Sequence, residues 1–363
     1  MSDPRHSQAL GGTHHVERLA ELCADVASVA PESVDAAWQR MNQLTKPVGS
    51  LGRLESVAVQ VAAIQRTVRP AVSRPRLIVA IGDHGVVAQG VAAYPSEVTR
   101  VMADVIGKRL SAVCQLADAA GVEVRAYDVG LAGEDSLIEG VSLVRVAAGT
   151  ADMTQGPAMS RDEVALAVLV GVDAAFEAVE CGVDLLAIGE MGIGNSTAAA
   201  ALTSHFTGAD PSLTVGAGAG SDESQLMRKV DAVRRALVTN APSHDDPLGA
   251  LGAIGGLEIA MMAGVVLGAA ARGVPVISDG YIAGSAVLAV AALCPNALDY
   301  VIYSHRSAEP GHDYMYAHLG AQPLLELDLR LGEGTGAALA IPLVVGACRV
   351  MANMLTFEEA GIG

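Results

Sequence analysis

Short, mostly apolar runs recur along this chain, and each closes on glycine or polar residues. Arg76 to Ile81 ends in Gly82-Asp83-His84-Gly85, and Val122 to Val129 ends in Gly130. Asp184 to Ile188 leads into Gly189-Glu190-Met191-Gly192-Ile193-Gly194-Asn195, and Val274 to Ile277 into Ser278-Asp279-Gly280. Asp299 to Tyr303 leads into Ser304-His305-Arg306-Ser307. Helix-length stretches separate the runs. A strand that is apolar on both faces has to be covered on both, and strands that alternate with helices pair in parallel. The pattern predicts an α/β fold, a parallel Rossmann-like sheet with helices on both faces. Ligands of such sheets bind beyond the strand C-termini. Chemistry is therefore expected in the loops at Gly82, Gly189, Ser278 and Ser304.

The rest of the chain frames that core. Met41, Leu44, Leu54, Val57, Val61 and Ile64 recur at helical spacing between Val16 and Gln65, around one break at Thr45 to Arg53. Ser160 and Glu163 read as a capping box that opens a helix. An apolar helix is expected from about Ala337 to Met354. The expected organisation is a mobile tail at 1–15, a small helical domain from 16–70 and 340–363, and a large α/β domain at 71–339. Leu251 to Arg272 nears the length of a membrane span, but it holds Glu258 and is mostly Ala and Gly, so a buried helix is expected and no membrane contact. Five scattered cysteines without a CxxC pair predict neither a disulfide framework nor a zinc site, and the polar N-terminus has no apolar signal core. A reduced, cytoplasmic setting fits. The net charge of −17 opposes binding to nucleic acid, which needs a basic footprint.

Two glycine-rich loops could hold an anion. Gly189 to Thr197 is a strand-to-helix turn whose N–H groups can face a phosphate; it lacks the Walker A ending and the dinucleotide fingerprint. Val215 to Ser221 is the second, followed by a helix that carries Lys229. Both loops also read as ordinary turns. Glu190 and Glu333 sit among glycines, and Glu333 lies between apolar segments, which suits a buried acid or base. Asp83-His84 lacks a third ligand at metal spacing, so a structural or substrate-positioning role is expected. Ser304, Arg306 and Ser307 suit a carboxylate. No GxSxG elbow favours a serine hydrolase.

Taken together these segments resemble the nicotinate-nucleotide–dimethylbenzimidazole phosphoribosyltransferase (CobT) family. The resemblance rests on Lys46 to Glu55, Gly82 to Val86, Gly156 to Ser160, Gly189 to Thr197, Lys229 to Asp231, Ser278 to Gly280, Ser304 to His312 and Arg330 to Ala338, in this order from about Trp38 to Gly361. It implies transfer of phosphoribose from nicotinate mononucleotide to a benzimidazole, in cobalamin lower-ligand assembly, by a homodimer without metal or cofactor. Glu333 matches the family's general base and Glu190 a second carboxylate. Phosphate would lie among Gly192, Gly194, Asn195, Ser196, Thr197, Gly216, Gly218, Gly220 and Lys229, and nicotinate near Ser304 to Ser307. Asp83, His84, Pro95, Met102, Asp279, Leu331, Gly332 and Gly334 complete the expected substrate site. The family usually has Gln where Val101 stands, beside the acceptor pocket, and often Gln or Phe where Arg306 stands. The other readings are a paralogue for another azole or phenolic acceptor, and a non-catalytic nucleotide-binding protein.

Overall fold

A computed structural model of the protein describes residues 11–133, 137–218, 220 and 222–362. Its centre is a sheet of β1 (Pro75–Gly82), β2 (Glu123–Gly130), β3 (Val141–Leu143), β4 (Leu185–Met191), β5 (Val276–Ser278) and β6 (Val301–Tyr303). The strands are all parallel, in the order β3-β2-β1-β4-β5-β6. The order reverses between β1 and β4, and this switch point is where an open α/β sheet leaves a crevice beyond its strand ends. β7 (His305–Arg306) and β8 (Leu325–Glu326) form a separate parallel pair.

Successive strand residues face opposite sides, and both sides are covered. Ile78, Ala80, Leu186, Ile188 and Val276 join a core with the helices Arg161–Glu180, Asn195–Thr207, Leu257–Ala271 and Tyr281–Leu293. Leu77, Val79, Ile81, Leu185, Ala187 and Ile277 join a second core with Arg53–Ile64, Glu97–Gly107, Ala112–Ala120 and Thr335–Asn353. That double burial is why β1, β4 and β5 carry no polar alternation, whereas β2 alternates at its start, where Glu123 and Arg125 are exposed. A third cluster ties Ala37, Met41 and Leu44 to Ala58, Val59, Ala62, Ala347 and Met351, so helices Pro31–Gln43 and Arg53–Ile64 meet the last long helix.

Three local expectations change. Gly11–Asp25 is a helix, with His15 Nδ1 2.8 Å from Asp162 Oδ1, so residues 11–15 are not an unstructured tail; residues 1–10 lie outside the described residues. Leu19 of this helix packs in the large sheet-covering core rather than with the third cluster. The helical stretch has a second break, because Pro31 opens a new helix, Pro31–Gln43. The apolar stretch from Leu251 divides into Pro247–Ile254 and Leu257–Ala271, and the second helix lies buried against the sheet. The capping box at Ser160 is present on both sides, with Glu163 N–H donating to Ser160 Oγ and Ser160 N–H to Glu163 Oε2.

Candidate active site

A cavity of about 390 Å³ opens beyond the ends of β4, β5 and β6, next to the switch point. Val91 to Tyr94, Val98, Met102, Met191 and Ile282 supply an apolar wall. Polar groups converge from separate loops. Glu190 and Met191 end β4 and Gly192 to Ser196 follow it, Asp279 follows β5, His305, Ser307 and Glu309 follow β6, and Arg330 to Glu333 precede the last long helix.

One end is acidic. Glu190 is 5% exposed, and the Asn195 amide donates to its Oε2. Its backbone carbonyl accepts the Glu333 N–H at 3.1 Å. Glu333 has φ 62° between Gly332 at 86° and Gly334 at 94°. A left-handed backbone costs a non-glycine residue of order 1–3 kcal/mol and persists only where the surroundings impose it. Here Asp279 imposes it. Its carboxylate accepts Gly334 N–H at 3.2 Å and Ala337 N–H at 2.9 Å, and so caps the Thr335–Asn353 helix from outside. The Gly332–Gly334 flanks allow the tight turn that swings Glu333 into the cavity.

These carboxyls hold their protons unusually well. Burial pushes Glu190 up to about 8, helped by the charges of Glu258, Asp279 and Glu333 and opposed by the Asn195 hydrogen bond. Burial also raises Glu333; the Val113 N–H, 3.5 Å from Oε2, opposes the shift and Asp279 adds to it. Glu190 is thus mainly protonated at neutral pH, while Glu333 is moved from the ordinary carboxylate range toward the values that suit a general base.

The other end is built for an anion. Lys229 is 2% exposed, yet its Nζ donates to two neutral oxygens, Ser196 Oγ at 3.0 Å and Gly216 O at 2.8 Å. Burial lowers its affinity for the proton, and Glu309 partly restores it. A buried ammonium on neutral partners gains most from an incoming anion. The N-terminus of Asn195–Thr207 faces the same space through Gly194, Asn195 and Ser196, adding its dipole. Arg330 reaches over from the acidic side and donates to Gly218 O at 3.1 Å.

Of the residues expected at the site, Glu190, Gly192, Gly194, Asn195, Ser196, Gly218, Lys229, Asp279, Ser307, Met102, Leu331, Gly332 and Glu333 line this cavity. The others stand elsewhere. Thr197 is buried within its helix, and Gly216 lies behind the wall, where its carbonyl meets Lys229. Gly220, Pro95 and Gly334 are outside the lining, although Tyr94 is part of it. Ser304 is fully buried, its hydroxyl donating to Asp279 O at 2.8 Å. Arg306 is on β7 and points out to Asp313 at 3.0 Å and Glu326 at 3.4 Å, whereas its neighbour His305 lines the cavity. Adjacent strand residues face opposite ways, so a single position swaps a surface ion pair for a site residue. Asp83 and His84 face an adjoining cavity of about 370 Å³ with Ala132, Gly149 and Thr150. His84 Nε2 is 2.7 Å from Glu258 Oε1, both wholly buried. Burial disfavours the imidazolium, but Glu258 and Asp83 outweigh it and raise His84.

The sequence reading missed His305, Glu309, Tyr281, Arg330 and the buried Glu258 beside Glu190. For Glu258 a signal existed, since a lone glutamate in an apolar helix has to be paired. For Glu309 none did, because only the folded loop turns it inward.

Comparison with known proteins agrees over nearly the whole chain. A family model described as phosphoribosyltransferase matches residues 26–362. A nicotinate-nucleotide–dimethylbenzimidazole phosphoribosyltransferase of Chloroflexus aggregans is 45% identical over 344 residues, covering 95% of this chain and 98% of that protein. The protein of the same name from Desulforamulus reducens is 43% identical over 345 residues, with the same coverage of 95% and 98%. The crystal structure of CobT from Thermus thermophilus superposes with a TM-score of 0.88 at 45% identity, covering 92% of this chain and 99% of that one. With matches of this extent over both sequence and fold, the chain belongs to the nicotinate-nucleotide–dimethylbenzimidazole phosphoribosyltransferase family.

Proposed function

We propose that this chain moves the ribose 5-phosphate of nicotinate mononucleotide onto a benzimidazole nitrogen, giving α-ribazole 5′-phosphate and nicotinate for the lower ligand of cobalamin. The phosphate rests on Lys229, Ser196 and the helix N-terminus beside them. The acceptor lies against the apolar wall of Met102, Met191, Val98 and Ile282. Its ring nitrogen attacks the anomeric carbon as the bond to the pyridinium nitrogen breaks, and that electron pair stays with nicotinate. Attack opposite the leaving group inverts the carbon, which makes the product α. Glu333 takes the N–H proton of the benzimidazole, so no cation builds up on it. Glu190, protonated, is a neutral neighbour that leaves Glu333 as the ionised base.

The observation that carries this reading is Glu333, held in a left-handed turn in the same cavity as a buried lysine on neutral partners. We also take the protein to act as a homodimer in the cytoplasm; exposed Tyr94 and Leu331, which line the cavity, and exposed Val101, next to Met102 in the chain, offer apolar surface for a second copy. Light scattering tests that state. The reaction itself is tested by nicotinate release from nicotinate mononucleotide, with and without dimethylbenzimidazole. Release that depends on the base supports the transferase. Binding of the nucleotide with no release under either condition supports a non-catalytic binder. Competition among benzimidazoles, phenols and adenine reads the acceptor preference.

A further inference from the structure

Glu309 has no part in the chemistry above, yet it lines the cavity and is only 6% exposed. Its Oε1 accepts the Gly218 N–H at 2.8 Å. Among the described residues its Oε2 is buried without a donor, and it packs where a side chain on Gly216 would have to stand. Lys229 grips the same loop from the other side through Gly216 O. A buried carboxylate and a buried ammonium therefore hold adjacent peptide groups of one loop. Anchoring Gly218 does not require a charge, since a neutral amide oxygen also accepts an N–H. A full negative charge left beside an anion site opposes the anion, and in a shielded cavity that opposition is only partly screened.

We propose that Glu309 is a positioning residue with a second effect: it aims the Gly216–Gly218 loop at the phosphate, and its charge keeps the affinity for phosphate low enough for the nucleotide product to leave. The inference rests on the phosphate reading of this end of the cavity.

Calorimetric titration of the full chain with inorganic phosphate and with nicotinate mononucleotide, without acceptor, tests it. E309Q keeps an acceptor for Gly218 and loses the charge, so its Kd for both ligands should fall about threefold to tenfold, the size of a partly screened unit charge. E309D keeps the charge while withdrawing it from Gly218 and should bind more weakly than the wild type; E309A loses charge and anchor together and should bind more weakly than E309Q. Equal weakening in E309Q and E309A, or an unchanged Kd in E309Q, overturns the proposal. Should E309Q fail to fold, E309D decides, since binding as tight as wild type would overturn the anchoring role. Lys229→Ala separates the two readings. If it leaves phosphate affinity unchanged, the phosphate site itself is misplaced; if it abolishes binding while E309Q changes nothing, only the role of Glu309 falls.

Discussion

At Glu190, burial and three neighbouring carboxylates act in one direction, and this has a consequence for stability. The folded state holds a proton on Glu190 up to about pH 8, whereas an unfolded glutamate releases it near ~4.3. Between those values the native state binds the extra proton, so stability falls as pH rises through the window. Glu190→Gln removes that term. Its melting temperature should decline less than the wild type's between pH 5 and 8 on thermal melts across that range. Glu333 is raised too, but its task requires the ionised form. Turnover should therefore fall as the pH drops through its elevated value. Glu333→Gln should keep nucleotide binding within a few-fold and lose about 10²–10⁴ in kcat, the usual contribution of a positioned base. Single-turnover assays beside calorimetry separate the two effects. Retained kcat with an unchanged pH profile would remove Glu333 from the chemistry.

Among the elements, the helices Arg161–Glu180 and Leu257–Ala271 explain the Ala- and Gly-rich composition. They approach so closely that a side chain on Gly264 would meet the carbonyl of Val168, and one on Gly171 the carbonyl of Met261. Gly264→Ala should force the pair apart and cost about 1–3 kcal/mol, as overpacking does. A drop in the denaturant midpoint at unchanged slope would confirm it. This scale also marks how far the sequence could be read. The runs at Arg76, Val122, Asp184, Val274 and Asp299 each contain a strand, since short apolar runs that stop at glycine or polar residues have few other solutions. β3, with three residues and no apolar run, had no such signal, and neither did the two-residue pair β7-β8. The inward turn of His305 and the outward turn of Arg306 depend on that short pair, so their roles were not legible.

For the molecule as a whole, a net charge of −17 is compatible with the proposed anion site because that site is local. Lys229, the helix N-terminus and the glycine loops act within a few ångströms, while most acidic side chains face solvent, where salt screens them. Saturation with nicotinate mononucleotide at one hundred times its Kd should stabilise the protein by about 2.7 kcal/mol, as binding to the folded state alone requires. A shift in melting temperature that grows with ligand concentration would show it. Lys229→Ala should abolish most of that shift, and an equal shift in the variant would argue against the assignment.

The sequence by itself determined the parallel α/β class and singled out strand-end loops and the two glutamates, Glu190 and Glu333, that line one cavity. These follow from local patterns, because burial on both faces dictates apolar strands and a backbone turning toward a ligand demands glycine. Only the tertiary structure decided which loops meet. Strand order brings the ends of β4, β5 and β6 together, Asp279 caps a helix more than fifty residues away, and Glu258 and Glu309 reach the site from elements far apart in the chain. Long-range contacts of this kind depend on packing between distant segments, and no local periodicity records them.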